Sequence, residues 1–355
     1  MDAPRFAYQP LPVRVVFGAG VLGELPAEVA ALGAARALVL STPGRRAGAE
    51  RVAALLGDRA AGVHAGAVMH VPAEAAAAAC RAAGAAAADA LVPFGGGSAV
   101  GLAKAVAKET GLPIAAVPTT YAGSEMTPVW GITEGGVKRT GRDRRVLART
   151  VLYDPSLTLG LPPAVSAASA MNAMAHAVEA LYAPDASPVI SLMAEEAVRA
   201  LAGALPEVVR DPGGLPARTR ALYGAWLCGT CLGATAMGLH HRLCHILGGS
   251  LNLPHAETHA VLLPHALAYN APAAPDAARA LRRALGRDDP ARALWDLSGS
   301  LGLPRSLAGL GADPAHLDGV VARALAGGFA NPRPVEEAGL RALLGRAWQG
   351  RPPDA

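Results

Sequence analysis

Near residue 155 the chain changes character, and that change constrains its fold more than any single motif does. Before it, short aliphatic runs alternate with helix-length segments. Val13–Phe17, Ala37–Leu40, Val68–Val71, Ala90–Phe94, Ile114–Val117 and Thr150–Tyr153 read as buried strands bounded by Gly, Pro and Ser. Helical segments at 21–32, 47–56, from Ala73 onward and at 99–109 fall between them. Strands separated by helix-length connections pair in parallel through right-handed crossovers, so this part is an α/β layer. After residue 155 the strand signals vanish. Segments 164–182, 191–204, 216–239, 240–251 and 259–269 all read as helices. The expectation is an α/β domain over 1–157 and an all-α domain over 158–355, with a ligand in the cleft between them.

Composition excludes several classes. At 52% hydrophobic and 17% charged, the 355 residues bury a core and are not disordered. No basic stretch leads into an apolar one at the N-terminus, and four cysteines make no disulfide framework, so a cytoplasmic location is expected. The net charge of +4 is too small, and too scattered, for a nucleic-acid binder. Its one dense basic run, Lys138 to Arg145, reads as a solvated hairpin tip or as an attractor of acidic small molecules. Ala221 to His241 is uncharged and long enough to cross a bilayer, but its glycines, cysteines and threonines make it a buried core helix, not a membrane span. There Gly229 and Gly233 would let a neighbouring helix approach, and Cys228-x-x-Cys231 reads as packing because it lacks a strand-to-helix context.

Three groups of residues carry chemistry. Gly95-Gly96-Gly97-Ser98 lies between a strand and a helix, where glycines and a helix N-terminus accept a diphosphate. Lys104 sits further along that helix. Pro118-Thr119-Thr120-Tyr121-Ala122-Gly123-Ser124-Glu125 follows the next strand, at the carboxyl edge where open α/β sheets bind ligands. The third group is histidine. Six of the ten fall between residues 240 and 265. His241 and His245 share a helix face, and so do Asn172 and His176 on an earlier helix. Imidazoles on facing helices point either to a divalent metal site or to proton donors beside a hydride acceptor.

With GGGS opening a helix, PTT…GSE after the next strand, NAMAH, and HHRLCHILGGSLNLPH, the chain resembles the iron-dependent (group III) alcohol dehydrogenase family. YAGSEMTPVWGITEGGVKRTGRD, DPSLTLGLPP and NLPHAETHAVLLPHALAYN resemble the branch that reduces the C=C bond of maleylacetate to 3-oxoadipate. The resemblance implies a dinucleotide-binding α/β domain with a Rossmann-like parallel sheet, then an all-α domain, an architecture shared with dehydroquinate synthase. It also implies NADH or NADPH as cofactor, a dicarboxylate substrate and a homodimer.

Position by position, the resemblance implies that Gly96, Gly97 and Ser98 bind the pyrophosphate, with Thr119, Thr120 and Ser124 nearer the rest of the cofactor. Ser41 closes the second strand, and no acid follows it. Arg45 or Arg46 could accept a 2′-phosphate there, so both cofactors are expected to serve. Asn172, His176, His241 and His255 match the metal ligands of metal-dependent relatives, and His245 matches the histidine beside the nicotinamide. Asn172 departs from the family pattern, which has Asp there. That exchange removes the only anionic ligand, and no metal is expected. If one is bound, His176, His241 and His255 would hold it. His245 or His241 is the expected proton donor, with His176, Asn172 and His255 completing the catalytic set. Tyr121, Arg242 and Lys138 are the candidates for substrate binding. A metal-dependent aldehyde reductase and a silent nucleotide-binding protein are the competing readings.

Overall fold

The computed structural model describes residues 6–135 and 137–354. The chain divides into two units, one of residues 11–161 and one beginning at Pro162 that also takes in residues 6–10.

The first unit holds a six-stranded parallel sheet. Its strands are β1 (Arg14–Phe17), β2 (Ala37–Leu40), β3 (Ala60–His64), β4 (Ala90–Gly95), β5 (Ala115–Pro118) and, after a two-stranded ribbon, β8 (Thr150–Tyr153). The ribbon pairs β6 (Val129–Glu134) with β7 (Val137–Arg142) antiparallel. In space the sheet runs β1-β8-β5-β4-β2-β3. Helices α1 (Leu25–Ala31), α2 (Arg46–Leu56), α3 (Ala73–Ala85) and α4 (Gly97–Thr110) make the crossovers. Because β2, β4, β5 and β8 are covered on both faces, they read as continuous apolar runs rather than alternating ones. Leu25, Val29, Val52 and Leu56 pack there against Val39, Val92, Val117 and Leu152.

Two expectations fail in this unit. Val68–Val71 forms no strand. His70 and Val71 take φ of 65° and 49°, and the segment instead meets the ribbon, with Thr133 Oγ1 donating to the His70 carbonyl. The third strand is Ala60–His64, an edge strand that pairs only with β2 and so tolerates an AAGVH sequence poor in β-branched residues. The basic run is not a hairpin tip either. Lys138 to Arg142 lies within β7, and the turn is at Gly135.

The second unit is helical: α5 (Pro163–Ala180), α6 (Pro188–Arg210), α7 (Leu215–Ala234), α8 (Leu239–Leu251), α9 (His255–Asn270), α10 (Pro275–Leu285), α11 (Pro290–Ser300), α12 (Leu317–Leu325) and α13 (Glu337–Gln349). Leu243 and Leu247 of α8, Leu262 of α9, Val321 of α12 and Leu340 and Leu344 of α13 share one core. The expected continuous helix from 216 to 239 is broken: α7 stops at Ala234 and α8 leaves at 95° to it. Among the described residues no single helix is long and apolar enough to cross a membrane. Helices α6 and α7 approach closely at Gly224, where a Cβ would lie 2.8 Å from Leu201 Cγ.

Candidate active site

Each unit carries its own set of candidate residues. In the α/β unit, β4 ends in Gly95 at a φ of 150°, a backbone state that L side chains rarely adopt. Gly96 caps α4 with no side chain, and a Cβ there would lie 2.9 Å from Thr120. The Thr119 N–H donates to the Gly95 carbonyl at 2.9 Å. The two loops at the carboxyl ends of β4 and β5 are therefore knitted together, and Gly96, Gly97, Ser98, Thr119 and Thr120 form one neighbourhood. Gly97 is exposed and Ser98 half-buried, at the N-terminus of a 14-residue helix. That is anion-binding geometry.

The other first-unit candidates are differently placed. Ser41 is fully buried at the end of β2 and bonds to its own strand neighbourhood: its N–H to the His64 carbonyl, its carbonyl to the Ala67 N–H. Tyr121 is also fully buried, with its hydroxyl 3.5 Å from Thr158 Oγ1. Lys138 is exposed on the ribbon.

Lys104 is committed to the segment that leads into β6. Its buried ammonium donates to the Ser124 carbonyl at 2.6 Å, Thr127 Oγ1 at 2.9 Å and the Val129 carbonyl at 2.8 Å. Burial lowers its pKa to about 7, against the opposing pull of Glu125. Tyr153 donates to Glu125 at 2.7 Å, so Ser124 stands on a buried polar frame.

In the helical unit the histidines converge. Asn172 and His176 of α5, His240 and His241 of α8, and His259 of α9 are all buried, whereas His245 and His255 are exposed. The rings form a continuous set. His176 stacks on His241 at 5.1 Å between centroids, and His241 lies 6.2 Å from His245 and 5.0 Å from His259. His255 lies 4.4 Å from His259 and stacks on His245 at 6.3 Å. A path of imidazoles thus leads from two exposed rings to the buried floor.

Burial, reinforced by the mutual repulsion of so many potential cations, drives the pKa of His176 and His259 well below the ordinary value and that of His240 to about 3. These rings are neutral. His240 Nε2 and His259 Nδ1 share a hydrogen bond of 2.9 Å, and Cys244 Sγ lies 3.6 Å from His240 Nε2.

Arg242 is not gathered with these rings. Its guanidinium donates to the Arg323 carbonyl at 2.8 Å, at the end of α12. Glu179, on the other hand, is part of the cluster and was not anticipated. Its Oε2 lies 2.5 Å from His241 Nδ1. A signal existed: Glu179 is the sole formally charged residue of α5 and lies three places after His176, on the same helix face. His240 and His259 were visible as part of the histidine run, but their pairing spans α8 and α9, and spacing alone does not reveal it.

The family's metal can be tested against these donors. Asn172 Oδ1, His176 Nδ1 and His241 Nε2 are buried atoms without a hydrogen-bond partner. Three imidazoles and one amide oxygen suit zinc, and they lack the carboxylate that non-haem iron(II) sites commonly include. Cys228 and Cys231 sit in α7 as buried free thiols, and burial pushes Cys231 up to about 12, so neither is a ready nucleophile.

Comparison with known proteins gives a consistent picture. Residues 12–155 match the family described as iron-containing alcohol dehydrogenase, and residues 166–348 match its C-terminal domain. Maleylacetate reductase of Burkholderia cepacia is 56% identical, over 95% of this chain and 96% of that one. Maleylacetate reductase of Sphingobium indicum is 52% identical, over 98% and 99%. The crystal structure of maleylacetate reductase from Agrobacterium tumefaciens superposes with a TM-score of 0.96 at 50% identity, covering 99% of this chain and all of that one.

Proposed function

The chain belongs to the iron-containing alcohol dehydrogenase family, and from that premise we infer that it is an oxidoreductase reducing the C=C bond of maleylacetate, a step in the breakdown of aromatic compounds. The observation that carries this is identity above one half with maleylacetate reductases over nearly their whole length. A nicotinamide is the cofactor, and when bound in reduced form it supplies the hydride.

The residues then have the following parts. The N–H groups of Gly97 and Ser98 at the head of α4 hold the pyrophosphate, with Thr119, Thr120 and Ser124 beside the remainder of the cofactor. Ser41 supports the turn after β2 from within, and Arg45, half-buried in that turn, accepts a 2′-phosphate, so NADH and NADPH both serve. A homodimer working in the cytoplasm completes the reading.

Maleylacetate is an enone with a carboxylate at each end. Hydride adds to the alkene carbon β to the ketone, and the charge moves onto the ketone oxygen as an enolate. Hydrogen-bond donors stabilise that charge, and a proton delivered to the carbon next to the ketone gives 3-oxoadipate. His245 delivers it, because an exposed imidazole reloads from solvent. Asn172 and the rings of His176 and His255 position the oxygens of the substrate. Lys138 draws the dicarboxylate toward the protein, while Tyr121 is buried in the loop after β5 and Arg242 is bonded to the end of α12.

A cation held by His176, His241 and His255 would supply Lewis-acid polarisation of an oxygen. Enone reduction does not require it, and Asn172 withholds the anionic ligand, so turnover without metal is the reading we favour. The unpartnered donor atoms of His176 and His241 support a second reading, a metal-dependent aldehyde reductase. Assaying loss of reduced nicotinamide with maleylacetate and with small aldehydes, and identifying the product, separates the two. Formation of 3-oxoadipate supports the first, and turnover of aldehydes alone rejects it.

A further inference from the structure

We propose that Lys104 is a positioning residue for cofactor binding: its amine locks the loop from Thr119 to Ser124 onto the helix whose head forms the glycine turn, so that the two halves of the cofactor site keep one fixed spacing. This rests on the reading of that loop and that turn as the cofactor site.

Lys104 lies about two turns along α4 from Gly97 and is 2% exposed. Its Nζ donates to the Ser124 carbonyl at 2.6 Å, Thr127 Oγ1 at 2.9 Å and the Val129 carbonyl at 2.8 Å. All three acceptors belong to the stretch that leaves the loop and enters β6. The start of the loop is tied separately, by the Thr119 N–H on the Gly95 carbonyl. Both ends are therefore held by the elements that carry the glycine turn, one by the last residue of β4 and the other by a side chain of α4. Between the two ties the chain turns at Gly123 with a φ of 80°. Glu125, next to Ser124, is buried and accepts the Tyr153 hydroxyl of β8 at 2.7 Å, so helix and sheet both grip the end of the loop.

The residue type suits this task. The chain draws its cations from arginine, with lysine only at 104, 108 and 138. A tetrahedral amine points its hydrogens at three oxygens around one atom, whereas a planar guanidinium spreads its donors in a fork. Burying the amine disfavours its charge, a cost that methionine, of similar length, would avoid. Filling the space behind α4 therefore does not account for lysine, and the three bonds do. Those bonds are all made to protein, so Lys104 acts on the cofactor only through the loop. What it fixes is where Ser124 stands relative to Gly97 and Ser98.

The test measures binding to the whole protein of NADH and, separately, of ADP, which carries the diphosphate but no nicotinamide. In Lys104→Met the Kd for NADH is expected to rise roughly 10-fold, about the worth of one hydrogen bond. The Kd for ADP, held by the untouched turn, is expected to stay within about twofold. The KM for NADH should rise in step while kcat at saturating cofactor is kept. Thr127→Val removes one of the three acceptors with little change of shape, and is expected to weaken NADH binding by a smaller factor. Unchanged NADH affinity in the folded variants, whatever their Tm, overturns the proposal. Equal weakening of NADH and ADP also overturns it, because that marks a general loosening of the unit. If Lys104→Met does not fold, Thr127→Val decides by the same two outcomes. If the wild-type protein binds neither ligand, the cofactor reading itself fails and takes the proposal with it.

Discussion

The glycine turn of the α/β unit and the histidine cluster of the helical unit solve different problems with different materials. The first presents backbone N–H groups at the head of α4, and its side chains are small or absent because anything larger would fill the space. The second is made entirely of side chains from α5, α8 and α9, aimed by one another. A backbone site selects only for negative charge and close approach. A side-chain site is where chemistry is chosen, and a single exchange at a position such as Asn172 changes the donor set.

If that contrast is right, the largest effect belongs to the cluster. His245→Gln is expected to lower kcat by about 10²–10⁴-fold, as loss of a proton donor does, with nicotinamide affinity unchanged. Steady-state kinetics with a separate cofactor titration checks this, and a rise in KM alone would break the division of labour. The glycine turn should respond the other way. In Gly96→Ala the new Cβ meets Thr120 at 2.9 Å, and overpacking of this kind costs about 1–3 kcal/mol. Weaker cofactor binding and a lower Tm are expected, with kcat at saturating cofactor largely retained.

The third effect concerns pH. Lys104 titrates near 7 in the folded protein because burial disfavours its charge, against an ordinary value of 10.5. Its folded pKa is depressed, so between those values the unfolded chain binds the extra proton. The stability linked to Lys104 is fully present above 10.5 and is lost as pH falls toward 7. Tm followed across that window should rise with pH in the wild type, and the Lys104→Met protein should lack that part of the slope.

The same contrast explains what could be read from the sequence. Five of the six sheet strands announced themselves as apolar runs, and the glycine turn was visible because its function lies in which residues are adjacent in the chain. Ala60–His64 escaped because an edge strand needs few β-branched residues. Val68–Val71 misled because an apolar run can also pack against a ribbon in a positive-φ turn. The histidines were legible as a density, and His241 and His245 as a helix face. Their partners were not. Glu179 reaches His241 across 62 positions, and His240 meets His259 across a helix junction, so only the packing of α5, α8 and α9 brings these groups together. Arg242 shows the converse: next to His241 in the chain, it spends its guanidinium on α12.

The central claim is that a cluster of imidazoles with Asn172 in place of an acidic ligand reduces an enone without Lewis-acid help. Its most direct test is the rate of maleylacetate reduction by chelator-treated protein, before and after zinc or iron(II) is added back. An undiminished rate that added metal leaves unchanged is the result this account predicts. Activity that disappears with chelation and returns with metal would contradict it, and would make His176, His241 and His255 ligands.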